Sequence, residues 1–199
     1  MFVKVCGLDS VANAQVAVAA GADAIGVVMS PRSPRHLEFD AAVEVLAAVR
    51  GVQTVLVVRE MDAAEAAAIA ARLAVDVLQL HGRGYDREQF SRARKVFPRL
   101  WRATSLAEDP DLRVGAWGEE RLLLDAPKAG SGERWDLSAL VDRRPDGEWL
   151  LAGGLAAENV AEAIATARPW GVDVSSGVES SPGVKDPDLI RAFVTAARR

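Results

Sequence analysis

The residues able to do chemistry in this 199-residue chain stand at the ends of short apolar runs. Cys6, the only thiol, closes "FVKVC" and precedes Gly7. "AIGVVM" is followed by "SPRSPRHL", which carries Arg32 and Arg35. "VLQL" leads into His81-Gly82, and "RLLLD" ends on Asp125. "WLLAGG" ends on Gly153-Gly154, and "GVDVSS" on Ser175-Ser176 with Gly177 next. Taken singly, each has a plain explanation. Cys6 suits a buried small hydrophobe as well as a catalyst. Asp125 suits a helix cap or loop acceptor, His81 a turn, and Arg32 and Arg35 a solvated loop. The glycines say more in combination. Gly153-Gly154 precede "ENVAEAI", which reads as a helix start with Glu158 in its first turn. Ser175-Ser176-Gly177 supplies small side chains and exposed N–H groups. Two such loops, with a helix N-terminus directed at the anion, make a phosphate site rather than mere turns.

The elements that must hold these residues follow from periodicity. Strand-like runs occupy 2–6, 24–29, 53–58, 75–80, 99–104, 121–126, 149–154 and 171–176. Several are nearly continuous apolar stretches, as parallel strands buried on both faces require. Helical segments lie between them. Residues 10–20 open on Ser10 and stop at Gly21. Segments 40–49, 62–73 and 86–97 each begin with Asp. In "PDLIRAFVTAARR", Leu189, Ile190, Phe193, Val194 and Ala197 share one face, with Pro187 in the first turn. Residues 105–120 hold a proline and two glycines and read as a loop or one short turn. Otherwise strand and helix alternate from end to end without a linker or an antiparallel hairpin. The prediction is one α/β domain spanning 1–199, a single (β/α)8 TIM barrel with a parallel eight-stranded sheet and a short or missing fifth helix. An open doubly wound sheet is the alternative. In a barrel, every residue named above falls at the carboxyl end of a strand, where such folds build their sites.

Composition limits the partners. Net charge is −4 and Lys and Arg are scattered, so no basic stripe exists for nucleic acid. A small phosphorylated ligand needs none, because backbone N–H groups can hold it. One cysteine cannot form an internal disulfide, which fits a reducing compartment. No charged-then-apolar leader precedes the first strand, and no apolar run approaches the ~18 residues of a membrane span. The expectation is a cytoplasmic protein without membrane contact.

The stretches "VKVCGL", "GADAIGVVMSPRSPRHL", "VLQLHG", "LLLDAP", "GSGERWDLS", "LAGGLAAENV" and "GVDVSSGVESSPGVKD" closely resemble the phosphoribosylanthranilate isomerase family of tryptophan biosynthesis, in that family's order and spacing over nearly the whole chain. The resemblance implies an Amadori rearrangement of N-(5-phosphoribosyl)anthranilate to 1-(2-carboxyphenylamino)-1-deoxyribulose 5-phosphate, with no metal and no organic cofactor. It also implies that Cys6 is the general base and Asp125 the general acid. Arg35 would face the anthranilate carboxylate, His81 would join the substrate site, and Gly153-Gly154 and Ser175-Ser176-Gly177 would form the phosphate loops. Oligomeric state is left open between monomer and homodimer. A free cysteine is mostly protonated at neutral pH, so a base at Cys6 is expected to be lowered by N–H groups of the following turn, with Lys4 nearby.

Three positions depart from the family pattern. Asp9 replaces threonine in the first loop and brings a negative charge towards Cys6. Arg59, in "VVRE", alters one wall of the site. Trp135 stands for phenylalanine in the glycine-rich sixth loop. Two competing functions remain in view: a barrel that binds a phosphorylated ligand without turnover, and a dual-substrate isomerase also serving histidine biosynthesis. The absence of a glycine-rich cradle in "VREMD", and cysteine rather than aspartate on the first strand, argue against the second.

Overall fold

In the computed structural model, which describes residues 1–108, 110–126, 136–140 and 143–199, eight parallel strands close into a barrel in sequence order. They are β1 (Phe2–Cys6), β2 (Ala24–Val28), β3 (Gln53–Val58), β4 (Val77–His81), β5 (Leu100–Ser105), β6 (Arg121–Asp125), β7 (Trp149–Leu151) and β8 (Gly171–Val174). Closure is made by β1 against β8, where Lys4 pairs with Asp173 and Val5 with Val174. The open doubly wound alternative is thereby overturned.

The period-2 alternation of the strands creates two cores. Val3 and Val5 face the helices and join Ile25, Val27, Leu56, Leu78 and Leu122 in the outer core. The intervening positions face the axis, where Ala24, Val55, Val77, Trp101, Leu123 and Leu150 fill the inner one. At the amino end of the strands the Arg121 guanidinium lies 4.1 Å over the Trp170 ring and 5.1 Å over those of Phe2 and Trp101. The apolar body of that plug sits in the barrel while Arg121 Nε reaches Glu148 at 2.9 Å.

The helices are α1 (Val11–Ala19), α2 (Phe39–Ala47), α3 (Ala63–Leu73), α4 (Arg87–Arg94), α5 (Val160–Ala167) and α6 (Pro187–Ala197). Ser10 caps α1 by accepting from Asn13 N, and Asp62, Asp86 and Asp186 cap α3, α4 and α6. Asp40 does not cap α2, which starts at Phe39, so this aspartate lies in the first turn. Glu158 precedes α5, whose first residue is Val160 after Asn159. Along α6, Ile190, Phe193, Val194 and Ala197 are buried, with Leu189 partly so.

After β5 the chain makes only a 3-10 turn, Leu106–Glu108. The helix-sized gap is filled by side chains from the following loop. Trp117 packs edge-on to Phe90 at 5.4 Å, and the buried Arg102 guanidinium lies 4.6 Å over its ring while pairing with Glu119 at 2.8 Å. Between β6 and β7, where alternation predicts a helix, the described residues hold a 3-10 turn, Leu137–Leu140. Trp135 lies outside the described residues. An antiparallel hairpin that periodicity did not reveal follows β8: β9 (Glu179–Ser181) and β10 (Val184–Lys185), joined at Pro182-Gly183. Gly183 has φ +84°, the backbone that the third residue of such a Pro-Gly turn needs.

Candidate active site

Six of the eight strands deliver a residue to one cavity on the barrel axis, at their carboxyl ends. Cys6, Gln79, His81, Asp125 and Asp173 come from inward strand positions. Arg35, Arg59, Gly153, Gly154, Ser175 and Ser176 come from the loops that follow. Of the site residues that the resemblance implies only Gly177 is absent from the wall, and Arg32 lines the adjoining cleft instead. The axial cavity holds about 90 Å³ and adjoins a cleft of about 450 Å³ that shares Ser33, Arg35, Arg59 and Ser176. A ligand with two ends can thus lie from the axis out over the loop after β2.

Asp125 ends β6 and is 7% exposed. Its Oδ1 accepts from Ala126 N at 2.8 Å, and Oδ2 lies 3.4 Å from His81 Nε2. Two different elements therefore fix the carboxyl. Gly153 keeps the approach clear: its φ is +84°, and a Cβ there would stand 2.7 Å from Asp125 Oδ1 and 2.3 Å from Ala126 N.

Cys6 is 6% exposed and caps the inner core, with Ala24, Val28 and Ala152 in the same cluster. Burial pushes its thiol above the ordinary value. Lys4 opposes that rise and Asp173 adds to it. The expected lowering by turn N–H groups is therefore wrong in direction, because the loss of water around the sulfur outweighs its cationic neighbour. Asp9 is engaged elsewhere, accepting from Asn13 Nδ2 at 2.8 Å and Lys185 N at 3.1 Å.

Arg35 is held by a residue that sequence reasoning missed. Its Nε and Nη2 donate to Glu179 at 2.6 and 2.9 Å, which uses one edge of the guanidinium. Glu179 also accepts from the buried Lys185 ammonium at 2.6 Å and from Gly183 N at 3.1 Å. Lys185 in turn donates to the Ser175 carbonyl at 2.8 Å, and the Ser175 hydroxyl donates to the Cys6 carbonyl at 3.1 Å. Gly177 explains its own absence from the wall. A Cβ there would lie 1.8 Å from the Leu155 carbonyl oxygen, so this glycine lets the loop after β8 lie against the loop after β7. Asn159 stiffens the latter, accepting from Ala156 N and donating to the Gly154 carbonyl, both at 2.8 Å.

Residues 3–196 match the model of the N-(5'-phosphoribosyl)anthranilate (PRA) isomerase family. The chain belongs to this family. It is 43% identical over 208 residues to the N-(5'-phosphoribosyl)anthranilate isomerase of Paracoccus denitrificans (strain Pd 1222), covering 98% of this chain and 96% of that protein. The crystal structure of TrpF from Jonesia denitrificans is 57% identical, with a TM-score of 0.93 over 100% of this chain and 97% of that one. A phosphoribosyl anthranilate isomerase solved with reduced 1-(o-carboxyphenylamino)-1-deoxyribulose 5-phosphate is 30% identical. Its TM-score is 0.84, over 100% of this chain and 98% of that one.

Gln79, Asp173, Glu179 and Lys185 are the residues at or beside the site that motif reading passed over. Two of them had a signal. In "LQL" and "VDV" a polar residue interrupts an apolar strand at the alternate position, which places it on the barrel axis. Glu179 and Lys185 had none, because the hairpin that brings them together was read as loop. Among the described residues no group of His, Cys, Asp or Glu is arranged to hold a metal ion, and no helix is long and apolar enough to cross a membrane.

Proposed function

We infer that the protein catalyses the Amadori rearrangement of N-(5-phosphoribosyl)anthranilate to 1-(2-carboxyphenylamino)-1-deoxyribulose 5-phosphate in tryptophan biosynthesis. The observation that carries this reading is that Cys6 on β1 and Asp125 on β6, three strand steps apart around the barrel, line one cavity in a chain of the isomerase family.

The reaction needs an acid and a base reaching the ribose from different directions. Asp125 gives its proton to the ring oxygen as the C1–O bond breaks, and the anilino nitrogen's electron pair forms a Schiff base. The C2 hydrogen is then acidic. Cys6 sulfur, as thiolate, takes that proton; the C–H electron pair forms the C1=C2 bond and the C1=N pair returns to nitrogen, giving an enaminol that tautomerises to the ketose. Each proton transfer by a positioned group contributes roughly 10²–10⁴ in rate. The second contact of Asp125, with His81, holds the carboxyl towards the axis.

Anchoring comes from both ends. Gly153-Gly154 and Ser175-Ser176, stacked through Gly177, hold the phosphate, and the free edge of Arg35 meets the anthranilate carboxylate. With both ends fixed, the ribose lies between acid and base, and the loss of rotational freedom is met by binding. The deciding experiment is a steady-state assay on freshly made phosphoribosylanthranilate, with rescue of a tryptophan auxotroph lacking this step. Wild type is expected to turn over and to rescue, and folded Cys6→Ala to lose at least about a hundredfold in kcat. A soluble wild type that binds the substrate without converting it would leave only a ligand-binding barrel.

A further inference from the structure

Below Cys6, on the same inward face of β1, stands Lys4, with its side chain fully buried. Its partner Asp173 is its register neighbour across the seam that closes the barrel, and Lys4 Nζ donates to Asp173 Oδ1 at 2.7 Å. The Lys4 stem and the Cys6 sulfur share one side of β1, both bordering the backbone of Gly26 on β2. Around this trio the inner wall is apolar, formed by Ala24, Val55, Leu123 and Leu150. An ion pair is poor filling for such a layer, since exchange of a buried pair for well-packed apolar side chains is often neutral or stabilising.

The barrel also makes room for the pair. Gly26, the register partner of Cys6 on β2, has no positive φ that would demand glycine. A Cβ at that position would lie 3.0 Å from Cys6 Sγ and 3.4 Å from Lys4 Cε. Glycine here clears the space in which the ammonium stem and the sulfur lie side by side. Burial works against the Lys4 charge, but Asp173 and Cys6 outweigh it and hold the ammonium charged.

We propose that Lys4, aligned by Asp173, is the fixed counter-ion of the Cys6 thiolate, a positioning pair that sets how readily the sulfur loses its proton and holds it at the cavity floor. This deepens the isomerase reading and rests on it for the thiolate's role as base. The charges that bear on the trio come from every side: Lys185 from β10 and Arg35 from the loop after β2, and Asp125 from β6 with His81 from β4. Lys4 is the cation that bears most strongly on the sulfur, and Asp173 the anion that restrains it. The two should act on the thiol with opposite sign.

Cys6 is the only cysteine, so alkylation of the intact chain reads this sulfur alone. The experiment measures the iodoacetamide rate against pH for wild type, Lys4→Met and Asp173→Asn, with circular dichroism to establish folding. At pH 7 the Lys4→Met rate is expected to fall about tenfold or more and its midpoint to move to higher pH, as loss of an adjacent cation dictates. Asp173→Asn is expected to move the midpoint lower. In the isomerase assay Lys4→Met should lose kcat in step with alkylation while KM changes by less than about threefold, since no substrate anchor is altered. If Lys4→Met does not fold, Lys4→Met/Asp173→Leu removes both charges, and its midpoint should stand above that of Asp173→Asn. An unmoved profile in the folded cation-less variant, or shifts of the same sign in the two single variants, overturns the proposal. Opposed shifts in a wild type that shows no turnover would sink the isomerase reading instead and leave the counter-ion assignment standing.

Discussion

Replacement of Glu179 by glutamine tests whether the hairpin β9–β10 is part of the site or an ornament on it. The carboxylate is 3% exposed in its side chain and accepts four hydrogen bonds: two from Arg35, one from Lys185 and one from Gly183 N. Glutamine retains one acceptor oxygen and turns an NH2 group towards the remaining cationic donors. Removal of one partner from a buried pair costs about 3–5 kcal/mol, and the retained oxygen puts Glu179→Gln at the lower end, about 3 kcal/mol. For a chain of this length that is a fall in Tm of about 6–12 °C.

The pH dependence of that loss has a definite sign. Burial pushes the Glu179 carboxyl up, but Arg35 and Lys185 outweigh it and the net shift is downward. A carboxyl lowered on folding contributes its stability above the unfolded value of about 4.3 and loses it as pH falls through the folded value. The Tm gap between wild type and Glu179→Gln should therefore be full at pH 7 and should close well below pH 4. Thermal melts by circular dichroism at pH 7 and pH 3 measure it. Substrate binding supplies a second readout, because Arg35 without its partner loses its fixed orientation. KM for phosphoribosylanthranilate should rise about tenfold, the size of one misplaced charge-assisted hydrogen bond. A Tm loss below about 2 °C at pH 7, or an equal loss at both pH values, would refute the reasoning.

Arg35→Ala and Asp125→Ala should separate the two halves of the mechanism. The first raises KM by about tenfold or more with a smaller effect on kcat, and the second lowers kcat by about 10²–10⁴ with KM little changed; reversed effects would mean that the roles are exchanged. Gly177→Ala places a Cβ where the Leu155 carbonyl oxygen stands 1.8 Å away, so the loops after β7 and β8 must part. Stability should fall by about 1–3 kcal/mol, and inorganic phosphate should inhibit this variant more weakly than wild type; unchanged phosphate inhibition would move the anion site elsewhere.

How much of this was legible in the sequence depended on whether a feature was local. The strands were, because β-branched runs bounded by glycine and aspartate need no tertiary information. Their ends were less so. β4 starts at Val77 rather than residue 75, since Asp76 is occupied in accepting from Thr54 N and Oγ1 across the neighbouring strand, and it therefore runs on to include His81. The caps at Asp62, Asp86 and Asp186 were readable, but Asp40 failed because Phe39 already lies inside its helix. At the site, motif order delivered Cys6, Asp125, Arg35 and the glycine loops to one region. The direction of the Cys6 shift was not readable. It is set by burial and by Asp173, a neighbour 167 positions away that the barrel supplies only when it closes. Glu179 was hidden for a related reason, since its value lies in a partner 144 residues distant.

These misses share a physical origin in the β1–β8 seam. Lys4 and Asp173 meet across it, the Ser175 hydroxyl reaches over it to the Cys6 carbonyl, and Lys185 ties the far side of Ser175 to Glu179 and thence to Arg35. The proposed base, its counter-ion and the proposed carboxylate anchor are thus assembled by the contact between the first strand and the last. Such a contact has the largest sequence separation of any strand pair in the barrel, so it forms at the highest loop-closure cost among them. Until the last strand docks, the thiol has no polar neighbours from β8 and the Arg35 loop has no Glu179. The proposed acid is different. Asp125 takes its hydrogen bond from the very next residue, and its second contact comes from His81 two strands away on an already continuous sheet. One half of the chemistry is therefore built locally and is plain in the sequence, whereas the other half exists only in the closed barrel.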